Sequence, residues 1–106
     1  MAKPDPARHE RPAIDEAALI AARDAEKVLD AARERGSERW VRFFEAVPDQ
    51  LRDAGIKELR GVAMKARSAY GPKDSIRDTI PPELTEPFML HLDRLIKALA
   101  RDTVES

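Results

Sequence analysis

Apolar residues recur along this chain at spacings of three and four, with charged residues between them, and that period belongs to helices. The first such stretch runs from about Asp15 to Arg35. Ile14, Ala18, Ala21, Ala25, Val28 and Ala32 step by four and three in a heptad pattern, and Ala17, Ala22, Leu29 and Ala31 widen the stripe. Asp15 has the chemistry of an N-cap, Ile14 and Leu19 have the spacing of a hydrophobic staple, and Gly36 suits the left-handed stop. The second stretch, Ser37 to Val47, opens on a capping serine and holds Trp40, Phe43 and Phe44. With Val47 and Leu51 these three form one apolar face. Aromatic side chains carry the largest apolar area, so this segment is expected to be the central helix, shielded by the others.

Pro48 disfavours the helical conformation at Val47 and fits the first turn of a short new helix, which ends at Ala54 with Gly55 as its stop. Ile56 to Tyr70 forms the next helix, with Ile56, Leu59, Ala63, Ala66 and Tyr70 on one face. Gly61 sits in its interior, where glycine costs about 1 kcal/mol relative to alanine. Close approach of a neighbouring helix, with Trp40 or a phenylalanine over the notch, would account for it. Gly71-Pro72 closes that helix. Asp74 or Ser75 then caps one turn carrying Ile76 and Ile80, and Pro81-Pro82 imposes an extended link. The last helix is expected to start near Thr85, with Pro87 in its first turn, and to bury Phe88, Leu92, Leu95, Ile96 and Leu99, Met89 flanking. Asp93 and Lys97 make a favourable pair on its surface.

No alternating run of β-branched residues interrupts this pattern. The expected fold is therefore all-α: a compact single-domain bundle of about four to five helices over residues 13–102, with a long Ala-rich first helix. The proline-punctuated residues 1–12 are expected to form a mobile arm, and residues 103–106 to fray.

At 106 residues the chain can hold one hydrophobic core. It is 42% hydrophobic and 37% charged, with a net charge of −1. No apolar run reaches the roughly 18 residues of a bilayer span, and the first ten residues lack the apolar segment of a secretory signal. Cysteine is absent, which excludes disulfides and thiolate metal sites. A cytoplasmic location is the default expectation.

Candidate chemistry is sparse. His9 and His91 belong to no ligand cluster, so no metal is expected. His91, one turn from Phe88 and Leu95, reads as a boundary residue with its ring on apolar neighbours. Ser37, Ser68, Ser75 and Ser106 sit in no nucleophile elbow. Tyr70 to Ser75, Y-G-P-K-D-S, could offer N–H groups to an anion, but it lacks the spacing of a phosphate loop and reads better as a loop with a capping serine. The expectation is a non-enzymatic protein without a cofactor.

Two features point to partners. The small-residue seam of Ile14, Ala18, Ala21, Ala25, Val28 and Ala32 could take a second copy of the chain, giving a homodimeric protein–protein interaction module. The alternative is a nucleic-acid-binding accessory factor. Residues 51–77 carry seven basic residues against three acidic, and Arg52, Lys57, Arg60, Lys65, Arg67 and Lys73 are the candidate phosphate contacts. Base-stacking aromatics are missing from the basic stripe that Lys57, Arg60 and Arg67 would form on the Ile56–Tyr70 helix. Leu51-x-x-Ala54-Gly55-Ile56-x-x-Leu59-x-x-Val62-Ala63 resembles the second half of a helix-hairpin-helix element, a family in which a hairpin glycine's N–H meets DNA phosphate. The resemblance covers residues 51–63, and Val47-Pro48-Asp49 stands where the glycine-bearing hairpin would be.

Overall fold

The Ala-rich helix lies at the middle of the structure. In the computed structural model, which describes residues 6–72 and 74–105, α1 spans Pro12–Glu34. It is followed by α2 (Glu38–Phe44), α3 (Val47–Asp53), α4 (Ile56–Arg67) and α5 (Pro82–Glu105). Three short 3-10 turns, Arg8–Glu10, Ser68–Tyr70 and Ile76–Asp78, complete the path, and the described residues contain no strand. The all-α, single-domain expectation holds.

Helix α1 packs against α5, α3 and α2, while α4 packs against α5 and α3. Ile14, Ala18, Ala21, Ala25, Val28 and Ala32 are all buried by these neighbours within one chain. A row of alanines makes a thin helix, and several larger helices can close on it at once. Within one chain, the seam is therefore covered by the bundle's own helices. The aromatic segment is correspondingly not the centre. Trp40 and Phe44 are buried as expected, but Phe43 is only half-buried, and α2 is seven residues long. Its rings form a chain of contacts instead. Phe43 and Phe44 lie 4.8 Å apart, Phe44 meets Phe88 of α5 edge-on at 5.8 Å, and Phe88 meets Tyr70 at 6.5 Å.

Local signals set several boundaries. At the end of α1, Gly36 has φ 65°, the Ser37 N–H donates to the Ala32 carbonyl and the Gly36 N–H to the Arg33 carbonyl, both at 3.0 Å. That pair of bonds is a Schellman ending, which requires the left-handed residue glycine supplies. Ser75 caps the turn after it by accepting from the Arg77 N–H at 3.2 Å.

Other boundaries moved. Helix α1 starts at Pro12 rather than Asp15, since a proline at the first helical position loses no hydrogen bond and has φ already set. Asp15 is no cap; its carboxylate accepts from Arg8 Nε at 2.8 Å. Leu19 is 43% exposed and forms no staple with the buried Ile14. Val47 is helical, and Ser37 precedes α2 without a side-chain capping bond. Helix α5 starts at Pro82 for the same reason that α1 starts at Pro12, so Pro87 lies in its second turn rather than its first. Its C-terminal end stays helical through Glu105.

The N-terminal arm is the largest departure. Residues 8–10 make a 3-10 turn, and Arg8 Nη1 donates to the Leu51 carbonyl at 3.0 Å and the Ala54 carbonyl at 2.9 Å. These carbonyls sit at the end of α3, where they lack partners in the helix and where the dipole favours a cation. Arg11 Nε donates to Asp102 at 2.7 Å. Residues 6–12 are therefore fastened to the body, and the part of the arm before them lies outside the described residues.

Candidate interaction surface

Charged side chains on the helix flanks fix which flanks meet. Asp24 on α1 contacts Nδ1 of His91 on α5, and Glu26 on α1 pairs with Arg52 on α3. Arg67 on α4 donates to Asp93 on α5 at 2.9 Å. The contacts Arg11–Asp102 and Asp24–His91 together make α1 and α5 antiparallel. His91 is the half-buried boundary residue expected, with Asp24 as a partner 67 positions away in sequence.

The six basic candidates do not form one stripe. Arg52 is engaged by Glu26 and by Asp49, the latter at 2.9 Å. Arg67 is engaged by Asp93, and its guanidinium lies 5.3 Å from the centre of the Tyr70 ring. Lys73 lies outside the described residues. The other three, Lys57, Arg60 and Lys65, are exposed on α4. Lys65 Nζ rests 5.7 Å from the Phe43 ring, which brings the edge of α2 beside this face.

The same exposed face carries Gly61 and Met64. A Cβ added at Gly61 would meet nothing within 4 Å, so no neighbouring helix or ring sits over it. The expected close approach inside the chain is absent. Met64 is 49% exposed. Lys57, Gly61, Met64 and Ser68 step by four, three and four, and so line up along the solvent side of the helix. Arg60 flanks that line on one side and Lys65 on the other. Helix α4 has four basic residues against the single acidic Glu58, in a chain whose net charge is −1. The sequence signal for this surface was present: Met64 falls off the stripe of Ile56, Leu59, Ala63 and Ala66.

A second surface, along the α1–α5 groove, is a shallow depression of about 190 Å³ lined by Ala13, Glu16, Ala17, Ile20, His91 and Arg94. It mixes both signs of charge with alanines, and the Asp24–His91 contact closes one end.

Buried polar chemistry occurs where Tyr70 meets α5. Its phenol donates to the Thr85 carbonyl at 2.5 Å, and Thr85 itself is fully buried. Burial first, then the Glu86 carboxylate, pushes this phenol well above its ordinary value; the Arg77 and Arg67 guanidiniums pull downward without prevailing. Tyr70 is thereby a fixed donor at neutral pH. The neighbouring Ser75 serves its own turn, which favours the capped-loop reading of residues 70–75. The 51–63 stretch is the end of α3, the Ala54-Gly55 turn and most of α4. Among the described residues no group of three or more His, Asp or Glu side chains could hold a metal ion, and no helix is long and apolar enough to cross a membrane.

No protein-family model, no curated protein and no solved structure matches the chain. The class its own geometry defines is a small all-α domain with an open, cationic face on its fourth helix.

Proposed function

We propose that this protein is a non-enzymatic protein–protein interaction module that engages its partner through the outer face of α4. One observation carries the reading. Gly61 stands open in the middle of the exposed face of α4, beside the half-exposed Met64 and between Arg60 and Lys65, although alanine there would favour the helix by about 1 kcal/mol. Packing within the chain supplies no reason for that cost, and a partner lying on the helix does. Exposed methionine suits such a surface, since its unbranched thioether adapts to the shape placed on it.

The nucleic-acid reading draws on the same three cations, Lys57, Arg60 and Lys65. It is the weaker of the two, because Arg52 and Arg67 already answer carboxylates and a phosphate strand has no use for Met64.

A photo-crosslinking residue at position 64, compared with the same residue at position 90, tests the proposal. Leu90 is equally exposed, at 49%, on a different helix. In cells, position 64 should give a protein adduct whose cross-linked peptide can be sequenced. The identified protein should then bind the purified chain and lose binding to the R60E/K65E variant. Adducts with nucleic acid alone, or equal adducts from both positions, would overturn the reading.

A further inference from the structure

We infer that the segment received by α4 is an acidic amphipathic helix crossing it at Gly61; this rests on the interaction-module reading and names its partner's chemistry. Three properties of the face lead there. The backbone of α4 is committed to its own hydrogen bonds, so a guest cannot add main-chain bonds to it as it would to a sheet edge. A guest pressed onto such a surface must satisfy its own N–H and C=O groups, and a helix does so where an extended segment does not. Gly61 then acts as the hole in the ridge: with no Cβ, it lets a second helix axis approach closer than the roughly 8–10 Å of ordinary helix pairs. Met64, one turn on, gives the guest's apolar stripe a soft floor.

Charge sets the flanks. Lys57 precedes the notch by one turn, Arg60 stands to one side and Lys65 to the other. A guest with carboxylates on both sides of its apolar stripe would face a cation on each. Glu58, the one acidic residue of α4, lies on the Lys65 flank two turns before it. Favourable charge across the rim speeds encounter and selects orientation. The edge of α2, with half-buried Phe43 under Lys65, bounds the site on that flank.

The test is titration of the isotope-labelled full chain, followed by backbone amide shifts, with four probes. One is a synthetic helical peptide with leucines on one stripe and glutamates on both flanks. The others are the same peptide with lysines for the glutamates, the acidic peptide broken by prolines, and a DNA duplex. The acidic helix should shift the amides of Gly61 and Met64 most, and its affinity should fall as salt is added. Gly61→Leu fills the notch while keeping the fold, verified by its helical circular dichroism, and should weaken that binding about tenfold or more. Equal shifts at α4 from the lysine or proline-broken peptide would overturn the acidic-helix inference and leave the interaction module standing. Shifts at α4 from DNA alone would overturn both. An acidic peptide that leaves the α4 amides unmoved, or binds Gly61→Leu as well as the native chain, would also overturn the inference.

Discussion

Helices α1 and α4 both carry residues smaller than a helix needs, and the two cases mean opposite things. In α1 the alanines face inward and are covered by three other helices; their smallness is the space those helices occupy. In α4 the glycine faces outward and is covered by nothing in the chain. Small size is a packing requirement in the first case and an unexplained cost in the second. Residue size alone cannot separate them, because each is a small side chain inside a helix. Burial does.

The comparison can be pressed hardest by adding the same side chain to each helix. Ala25→Leu puts three extra carbons into a fully buried site and should cost about 3 kcal/mol in urea unfolding, as overpacking forces the surrounding helices apart. Gly61→Leu should cost nothing. Equal losses in the two would mean that α4 is covered after all.

A second prediction concerns how each helix is held. The α1 alanines are held by apolar contact, whereas the turn that ends α4 is tied to α5 by the Tyr70 phenol. Tyr70→Phe leaves the Thr85 carbonyl buried without that donor and should cost about 2 kcal/mol in the same unfolding measurement. Its pH dependence has a definite sign. The folded phenol holds its proton above the unfolded value of about 10. Its contribution is therefore complete below that pH and declines as pH rises beyond it, since the unfolded chain loses the proton first. The decline should be shallower in Tyr70→Phe.

Gly36 and Gly61 give the smallest and most pointed pair. A Cβ at Gly36 or at Gly61 would meet nothing within 4 Å, yet Gly36 has φ 65° and Gly61 lies in an α-helix. Gly36→Ala should destabilise by about 1 kcal/mol through left-handed strain. Gly61→Ala should stabilise by somewhat under 1 kcal/mol through helix propensity. Thermal melts of the two variants should move in opposite directions; a fall for Gly61→Ala would show that the position is constrained within the chain.

What was legible in the sequence was local. The apolar stripes of α1 and α5, the Gly36 stop and the Ser75 cap depend on residues within a turn or two of each other, and each sits where its pattern put it. Several of the misses involve distant partners. Asp15 has the chemistry of a cap, but Arg8 claims its carboxylate and prolines set the helix start. The arm resembles a solvated leader until Arg8 meets carbonyls 43 and 46 positions away. Trp40 and its neighbours promised the centre by their size, yet a thin helix makes a better axle than a bulky one. Of the candidate surface, the cations Lys57, Arg60 and Lys65 were visible, but that Arg52 and Arg67 are spoken for, and that Gly61 is uncovered, are facts about other helices.

The Arg11–Asp102 contact brings the two outer ends of the antiparallel α1 and α5 together. Entry and exit of the folded body thus share one pole, opposite the Gly36 bend. The domain could be spliced into a surface loop of a host protein, or its ends joined by a short linker and the chain reopened at the partly exposed Gly71–Pro72 corner, without prising any helix from its neighbours.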